Sequence, residues 1–198
     1  FPGHDAKHLH LAHDGYQEPY ASTCFNWDTK AMRNAPPMGL KKLTIAKTTA
    51  KLTLDSPEWQ NATAHALTLL PPLHTLPRNT TIRLLYDDKA LHLRAEAELG
   101  DVTTFTAYNR DRVLTNQEAI DLYLAPNPAQ PLFYRLTQGA NAASKYDALN
   151  GRITDVMDPR HGKDDPTWNG DWTSETRVDA KTKRWHAHLV IPFTTLGV

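Results

Sequence analysis

One cysteine, Cys24, stands in a chain of 198 residues. A disulfide within the chain is therefore impossible, and a cysteine zinc site is excluded. A lone thiol of this kind is ordinarily a small, partly buried apolar group. No apolar run approaches the ~18 residues that a membrane-crossing helix needs. Net charge is missing too, since 22 Lys plus Arg balance 22 Asp plus Glu. A neutral chain carries no electrostatic footprint for nucleic acid or an anionic membrane, and neither is expected as a partner. The long amphipathic helices that a doubly wound α/β fold places between its strands are absent. So are Gly-x-Ser-x-Gly, His-Glu-x-x-His, a phosphate loop and a dinucleotide fingerprint. Carboxylates are plentiful, but a glycosidase pair is recognisable only by its geometry.

What the chain does have, from about Lys41 onward, is period-2 alternation in short runs divided by Pro, Gly and Asn, the pattern of half-buried strands. Leu43 and Ile45, then Leu52 and Leu54, alternate with polar residues, and 64–69 is a further candidate before Pro71-Pro72. The clearest hairpin joins 81–86 to 90–97 through Asp87-Asp88-Lys89. Strands are predicted at 102–108, 119–124, 132–137 and 145–149. A late pair, 172–178 and 185–191, turns at 179–182, and 192–196 suits a single helical turn. Many short strands at this spacing predict an all-β fold, an antiparallel β-sandwich of jelly-roll or immunoglobulin-like type.

Residues 1–40 read differently. They lack sustained alternation and hold His4, His8, His10 and His13, the aromatics Tyr16, Tyr20, Phe25 and Trp27, and Pro36-Pro37. We expect an irregular N-terminal arm, or the tail of a preceding domain, packed on a sandwich spanning 41–198. His8, His10 and His13 are spaced to converge on a divalent ion; with no defined carboxylate or cysteine beside them, a solvated arm is the simpler reading. The start at Phe1 is what a processed chain or a fragment would show.

Several landmarks occur in the order of one family. Lys51-Leu-Thr-Leu-Asp55 precedes Pro57-Glu-Trp59-Gln-Asn-Ala62; the 81–93 hairpin follows, then Arg110-Asp-Arg-Val113 and Glu118-Ala-Ile-Asp-Leu-Tyr-Leu124. Phe133-Tyr-Arg-Leu136, Tyr146-Asp147, Trp168-Asn-Gly-Asp-Trp172 and Trp185-His-Ala-His-Leu-Val-Ile-Pro-Phe193 complete the series. Over roughly residues 50–198 the chain resembles the family 9 carbohydrate-binding modules, which are related by fold to the DOMON-type domains. The resemblance implies a secreted, periplasmic or extracellular protein. It also implies a non-catalytic module that tethers an associated glycan-processing protein to a polysaccharide such as a glucan or xylan, with an oligosaccharide or polysaccharide as partner. Two features depart from the family. Its sugar-stacking tryptophan before the 119–124 strand is matched by Leu114 and Thr115, and the strands that follow its Ile-Pro-Phe turn have no counterpart, so the sandwich is expected to be C-terminally incomplete.

A sugar site needs flat aromatic faces for the C–H surface of the ring and polar groups that receive the hydroxyls. By resemblance, Asp121 stands where the family keeps a ligand-binding glutamate, and Arg135 where it keeps an arginine on the neighbouring strand. Alternation turns Ile120 and Leu136 inward and Asp121 and Arg135 outward on one sheet face. The plainer reading of the two is a cross-strand ion pair. Trp168 and Trp172, in a loop rich in Asp, Asn, Gly and Pro, are candidate stacking platforms or core caps, and Tyr146 is a further candidate. Trp59 and Trp185 read as packing residues. The resemblance also implies structural calcium. Asp155, Asp158, Asp164 and Asp165, with Asp171 nearby, crowd one segment, as an oxygen-seeking cation requires, or they form a solvated loop. Two other readings compete: a haem-binding electron-transfer domain using Met157 and His161, with Met32 and Met38 also at hand, and a structural interaction domain whose sugar site has decayed.

Overall fold

The computed structural model describes residues 8–11, 23–26, 43–67, 79–100, 110, 114, 118–127, 130, 132–153, 155 and 157–198. It divides into two compact units, Phe1–Thr44 and Ile45–Val198. In the first, β1 (His8–Leu11) and β2 (Thr23–Asn26) pair antiparallel, with His10 opposite Cys24. The rest of the expected arm lies outside the described residues, as do the candidate strand at 102–108, Thr115, Met32 and Met38.

The second unit holds two sheets. After β3 (Ala46–Lys47) and β4 (His65–Ala66) come β5 (Thr80–Tyr86) and β6 (Ala90–Glu98), which form the anticipated hairpin with Tyr86 opposite Leu91. Its acidic turn has a mechanical reason. The Asp87 carboxylate accepts the backbone N–H groups of Lys89 at 2.7 Å and Ala90 at 2.8 Å, closing the turn with a side chain. β10 (Thr173–Asp179) and β11 (Arg184–Pro192) form the late hairpin, where Asp179 accepts the amides of Lys181 and Thr182. β11 then pairs along its whole length with β6, which gives the large sheet the order β10-β11-β6-β5-β3, with β4 also on β5. The β3–β5 contact is parallel; the other pairings are antiparallel. β7 (Ala119–Leu124), β8 (Phe133–Gly139) and β9 (Lys145–Asn150) form the small sheet in sequential order. A 3-10 turn at Phe193–Leu196 occupies the place where one helical turn is predicted. Among the described residues no α-helix occurs, and no helix is long and apolar enough to cross a membrane.

The sheets meet through their inward faces. Leu93, Ala95 and Ala97 of β6, with Trp185, Ala187, Leu189 and Ile191 of β11, pack on Ile120, Tyr134, Leu136 and Leu149 of the small sheet. This is the alternation seen in the sequence, and the fold is the expected β-sandwich. The small residues Ala95, Ala97 and Ala187 leave room for Trp185, which is 1% exposed.

Leu52 and Leu54 behave differently from expectation. They belong to no strand. Residues 51–62 run as a strap across the outer face of the large sheet, ending in a second 3-10 turn at Pro57–Asn61. Side chains take the place of ladder bonds: the Leu54 amide donates to Glu175 Oε2 at 3.1 Å, and the Leu54 carbonyl accepts from Arg94 Nε at 3.1 Å. Below the strap, Leu52, Trp59, Ala62 and Leu85 make a second, smaller apolar cluster. Trp59 also anchors the strap on itself, donating from Nε1 to the Thr53 carbonyl at 2.8 Å.

Candidate functional site

Cross-strand register sets out the outer face of the small sheet. Asp121 of β7 lies opposite Thr137 of β8, and Tyr123 lies opposite Arg135. On the far side of β8, Tyr146 faces Thr137 and Ala148 faces Arg135. Directly opposed residues share a face, so Asp121, Tyr123, Phe133, Arg135, Thr137, Tyr146 and Asn150 all project away from the core. The strands of Ile120 and Leu136 are adjacent, and both charged candidates emerge where alternation puts them.

Arg135 is the centre of this face. Its Nη2 and Nε donate to Asp121 at 3.2 and 3.4 Å, while Nη1 donates to Asp164 Oδ2 at 2.8 Å. The guanidinium lies over the rings of Tyr146, at 5.1 Å, and Tyr123, at 5.5 Å. Asp164 also accepts from Tyr146 Oη at 3.2 Å and from Asn150 Nδ2 at 3.1 Å, and the Thr137 hydroxyl donates to Asp121. The loop after β9 delivers Asp164. It departs at Gly151, where a φ of 87° suits glycine, and returns so that Asp165 pairs by backbone with Leu149 in both directions, at 3.2 and 2.9 Å.

The electrostatics follow from this packing. Partial burial works against a charged Arg135, but Asp164 and Asp121 outweigh it and hold the guanidinium pKa above its ordinary value. Burial pushes the Asp164 carboxyl up, whereas Arg135, Asn150 and Tyr146 outweigh that and keep it below the usual range. Burial, then the Asp164 charge, pushes the Tyr146 phenol up to about 12. The result is a fixed donor fork between two carboxyl acceptors that retain free lone pairs. Beside them Tyr123, 55% exposed, leans on Phe133 with ring centroids 5.9 Å apart and planes at 54°. A flat aromatic surface thus borders a rigid set of donors and acceptors, the combination that a hydroxylated ring requires. A cavity of about 600 Å³ opens alongside, between the end of β9 and the loop, with Asp164 in its wall.

The other sequence candidates go elsewhere. Trp172 is 3% exposed and belongs to the core, so it offers no free face. Its Nε1 donates to Asp147 at 3.1 Å, and the Lys145 ammonium lies 4.6 Å from its ring. Trp168 is drawn onto the core as well, with its ring 5.1 Å from that of Tyr134. Gly170 makes this packing possible, since a Cβ there would come within 2.6 Å of the Trp168 ring. Both rings leave the polar loop because the core of the sandwich buries more of their apolar area than the loop can. Tyr146 is at the site, but its ring is buried and serves the face through its hydroxyl and its contact with Arg135. Trp59 and Trp185 are packing residues, as expected.

The described carboxylates of the acidic segment turn to separate partners. Asp155 accepts from the Met157 amide, Asp158 from Arg160, and Asp165 from Thr167, while Asp164 is turned to Arg135. Among the described residues, no group of three or more His, Cys, Asp or Glu side chains converges to hold a metal. Short-range turn chemistry claims Asp155, Asp158 and Asp165 first, and the ion pair with Arg135 claims Asp164. Met157 is 85% exposed, and His161 bonds through Nδ1 to the Ile153 carbonyl at 2.8 Å.

Sequence reasoning leaves Tyr123 and Asp147 out of the candidate set and gives Asp164 a different role. Tyr123 had a sequence signal: it has the same strand parity as Asp121. Asp164 reads in the sequence as a cation ligand or as part of a solvated loop, and only the return of the loop brings it to Arg135. Asp147 faces the core and is fully buried. It accepts from Arg110 Nε at 2.6 Å and Nη2 at 2.5 Å, from the Gly170 amide at 2.7 Å and from Trp172 Nε1. That carboxylate ties β9, the 168–172 loop and Arg110 together beneath the site.

Sheet order and face therefore define a two-sheet sandwich with an aromatic and polar outer face. Among solved structures, a protein from Bacteroides uniformis assigned to carbohydrate binding is similar in fold, with a TM-score of 0.52 at 9% identity, covering 78% of this chain and 74% of that one. A family 9 carbohydrate-binding module from Caldicellulosiruptor kristjanssonii in complex with cellotriose gives a TM-score of 0.43 at 13% identity; 75% of this chain is covered, and the chain spans 65% of that module's length. A family 9 module from the same organism, in complex with glucose, gives 0.46 at 15% identity, covering 77% of this chain and 69% of that one. At these identities the likeness is one of fold. No protein-family model matches the sequence, and no curated protein matches it.

Proposed function

We propose that this chain is a non-catalytic carbohydrate-binding module acting outside the cell. It uses the outer face of the small sheet to hold an associated glycan-processing protein on a polysaccharide such as a glucan or xylan. The observation that carries the reading is Tyr123, exposed and braced by Phe133, beside an arginine clamped between Asp121 and Asp164. The fold shared with the Bacteroides uniformis protein supports it. Tyr123 supplies the stacking surface that Leu114 cannot. Asp121 and Asp164 accept hydroxyl protons, and Arg135 donates in return. The three charges are already mutually bonded, so little ordering is left to be done on binding. Tethering then raises the local concentration of the attached protein on its polymer without any bond being made or broken.

Calorimetric titration with glucose, cellotriose and xylobiose tests the proposal. Binding to at least one sugar is expected, with affinity falling tenfold or more in Tyr123→Ala and in Arg135→Ala. Titrations without heat for any of these sugars and for longer glucans and xylans would leave a structural interaction domain as the better reading.

A further inference from the structure

We propose that the gap between the 54–60 segment of the strap and the outer face of the large sheet is a second binding site, built for a single carboxylate group such as that of a sugar acid. This site is on the opposite side of the sandwich from Arg135 and does not depend on the sugar-binding reading of that face. Register places Arg83 of β5 directly opposite Arg94 of β6. Like charges so placed destabilise a sheet pair. Nearby carboxylates do not relieve them evenly. Asp55 is held by both terminal nitrogens of Arg177, at 2.6 and 2.7 Å. Glu96 bonds to Arg184 and approaches Arg94 only at 3.8 Å. Arg94 spends its Nε on the Leu54 carbonyl. Arg83 has no hydrogen-bond or ion-pair partner among the described residues, although it is half-buried.

Arg83 and Arg94 line a cavity of about 330 Å³, and its walls also include the carboxylates of Asp55 and Glu96 together with Ser56, Trp59 and Gln60. Asp55 and Glu96 are committed to Arg177 and Arg184, which leaves Arg83 as the lining cation with no partner among the described residues, a match for one negative charge. The flat fork of arginine matches the two oxygens of a carboxylate better than it matches a bulkier dianion crowded against Glu96 and Asp55. Ser56 and Gln60 add hydroxyl and amide groups at the rim for the rest of a hydroxylated ligand. Leaving the Arg83–Arg94 pair unrelieved costs the empty protein stability that an anion would restore.

The probes are sodium glucuronate, glucose and sodium phosphate, titrated at low ionic strength because screening weakens such contacts. Glucuronate is expected to bind the full chain and raise its melting temperature. Arg83→Gln should lower glucuronate affinity at least tenfold and leave neutral-sugar binding unchanged. Without ligand, Arg83→Gln should melt no lower than the parent, since the substitution removes a repulsion. The proposal is overturned if glucuronate fails to bind, if it binds Arg83→Gln equally well, or if phosphate binds more tightly. It is also overturned if ligand-free Arg83→Gln melts lower, because Arg83 would then be a structural cation.

Discussion

The two outer faces of the sandwich begin from the same strand alternation and end in opposite environments. On the small sheet, Asp121, Arg135 and Asp164 form a charged cluster at the surface, with Tyr123 open to solvent. On the large sheet, His92 and His188 are 5% and 4% exposed, and a Trp59 edge meets His188 at 5.3 Å. The cause is the strap. Leu52, Leu54 and Trp59 cover polar strand positions, and the covered imidazoles bond to one another, His92 Nδ1 to His188 Nε2 at 3.3 Å, with Asp87 closing the chain at 3.1 Å. Polar residues at alternate positions thus predict an outward direction, whereas solvent exposure depends on what chain comes back over them.

The largest expected effect breaks the support beneath the exposed face. Asp147→Ala leaves Arg110, the Gly170 amide and Trp172 Nε1 without their acceptor, and should cost about 3–5 kcal/mol in urea unfolding. A loss below about 1 kcal/mol would mean that the two faces do not differ in how they are supported.

Acid sharpens the contrast next. Burial, then His92 and Arg94, lowers the His188 pKa to about 4, below the ordinary value of 6.5. The unfolded chain therefore takes up this proton at a higher pH than the folded chain. Stability falls as pH drops from about 6.5 toward 4, by about 2 kcal/mol at pH 5. Urea midpoints at pH 7 and pH 5 read the slope, and His188→Gln should flatten it. An unchanged slope in that variant would assign the acid sensitivity to other groups.

Tyr123→Ala should shift stability by no more than about 0.5 kcal/mol while removing the stacking surface, so binding and folding separate on the small sheet. Smallest of all is Arg177→Ala. Its bidentate pair with Asp55 is open to water, and no change in the urea midpoint is expected. A clear loss there would show that the strap is pinned by charge and not by Trp59 and the two leucines.

Much of this arrangement was legible in the chain. The 80–98 and 173–192 hairpins follow from alternation and from acidic turns whose first aspartate caps the backbone. Trp185 lies in the core because its run is apolar on one side. Asp121 and Arg135 point outward because strand parity leaves them no other direction, and the same parity held Tyr123. The strap was misread as strands because Leu52 and Leu54 alternate with polar residues as a strand does; its backbone bonds to side chains from distant elements, which alternation does not register. Of the two readings open to Trp168 and Trp172, stacking platform or core cap, the structure realises the core cap. Their local surroundings are polar, but Gly170 allows a tight approach and Asp147 offers an acceptor in the core.

Local chemistry, then, was enough to determine strand period, turn position and the direction of each strand side chain, because neighbouring residues a few ångströms apart decide them. Only the tertiary structure decided that β11 lies beside β6, that Asp164 swings back to Arg135, and that the histidines of one sheet are sealed while the tyrosine of the other stays open. Those outcomes depend on contacts between segments 29 to 121 positions apart, and a carboxylate or a ring is placed by whichever distant partner best satisfies it once the core has closed.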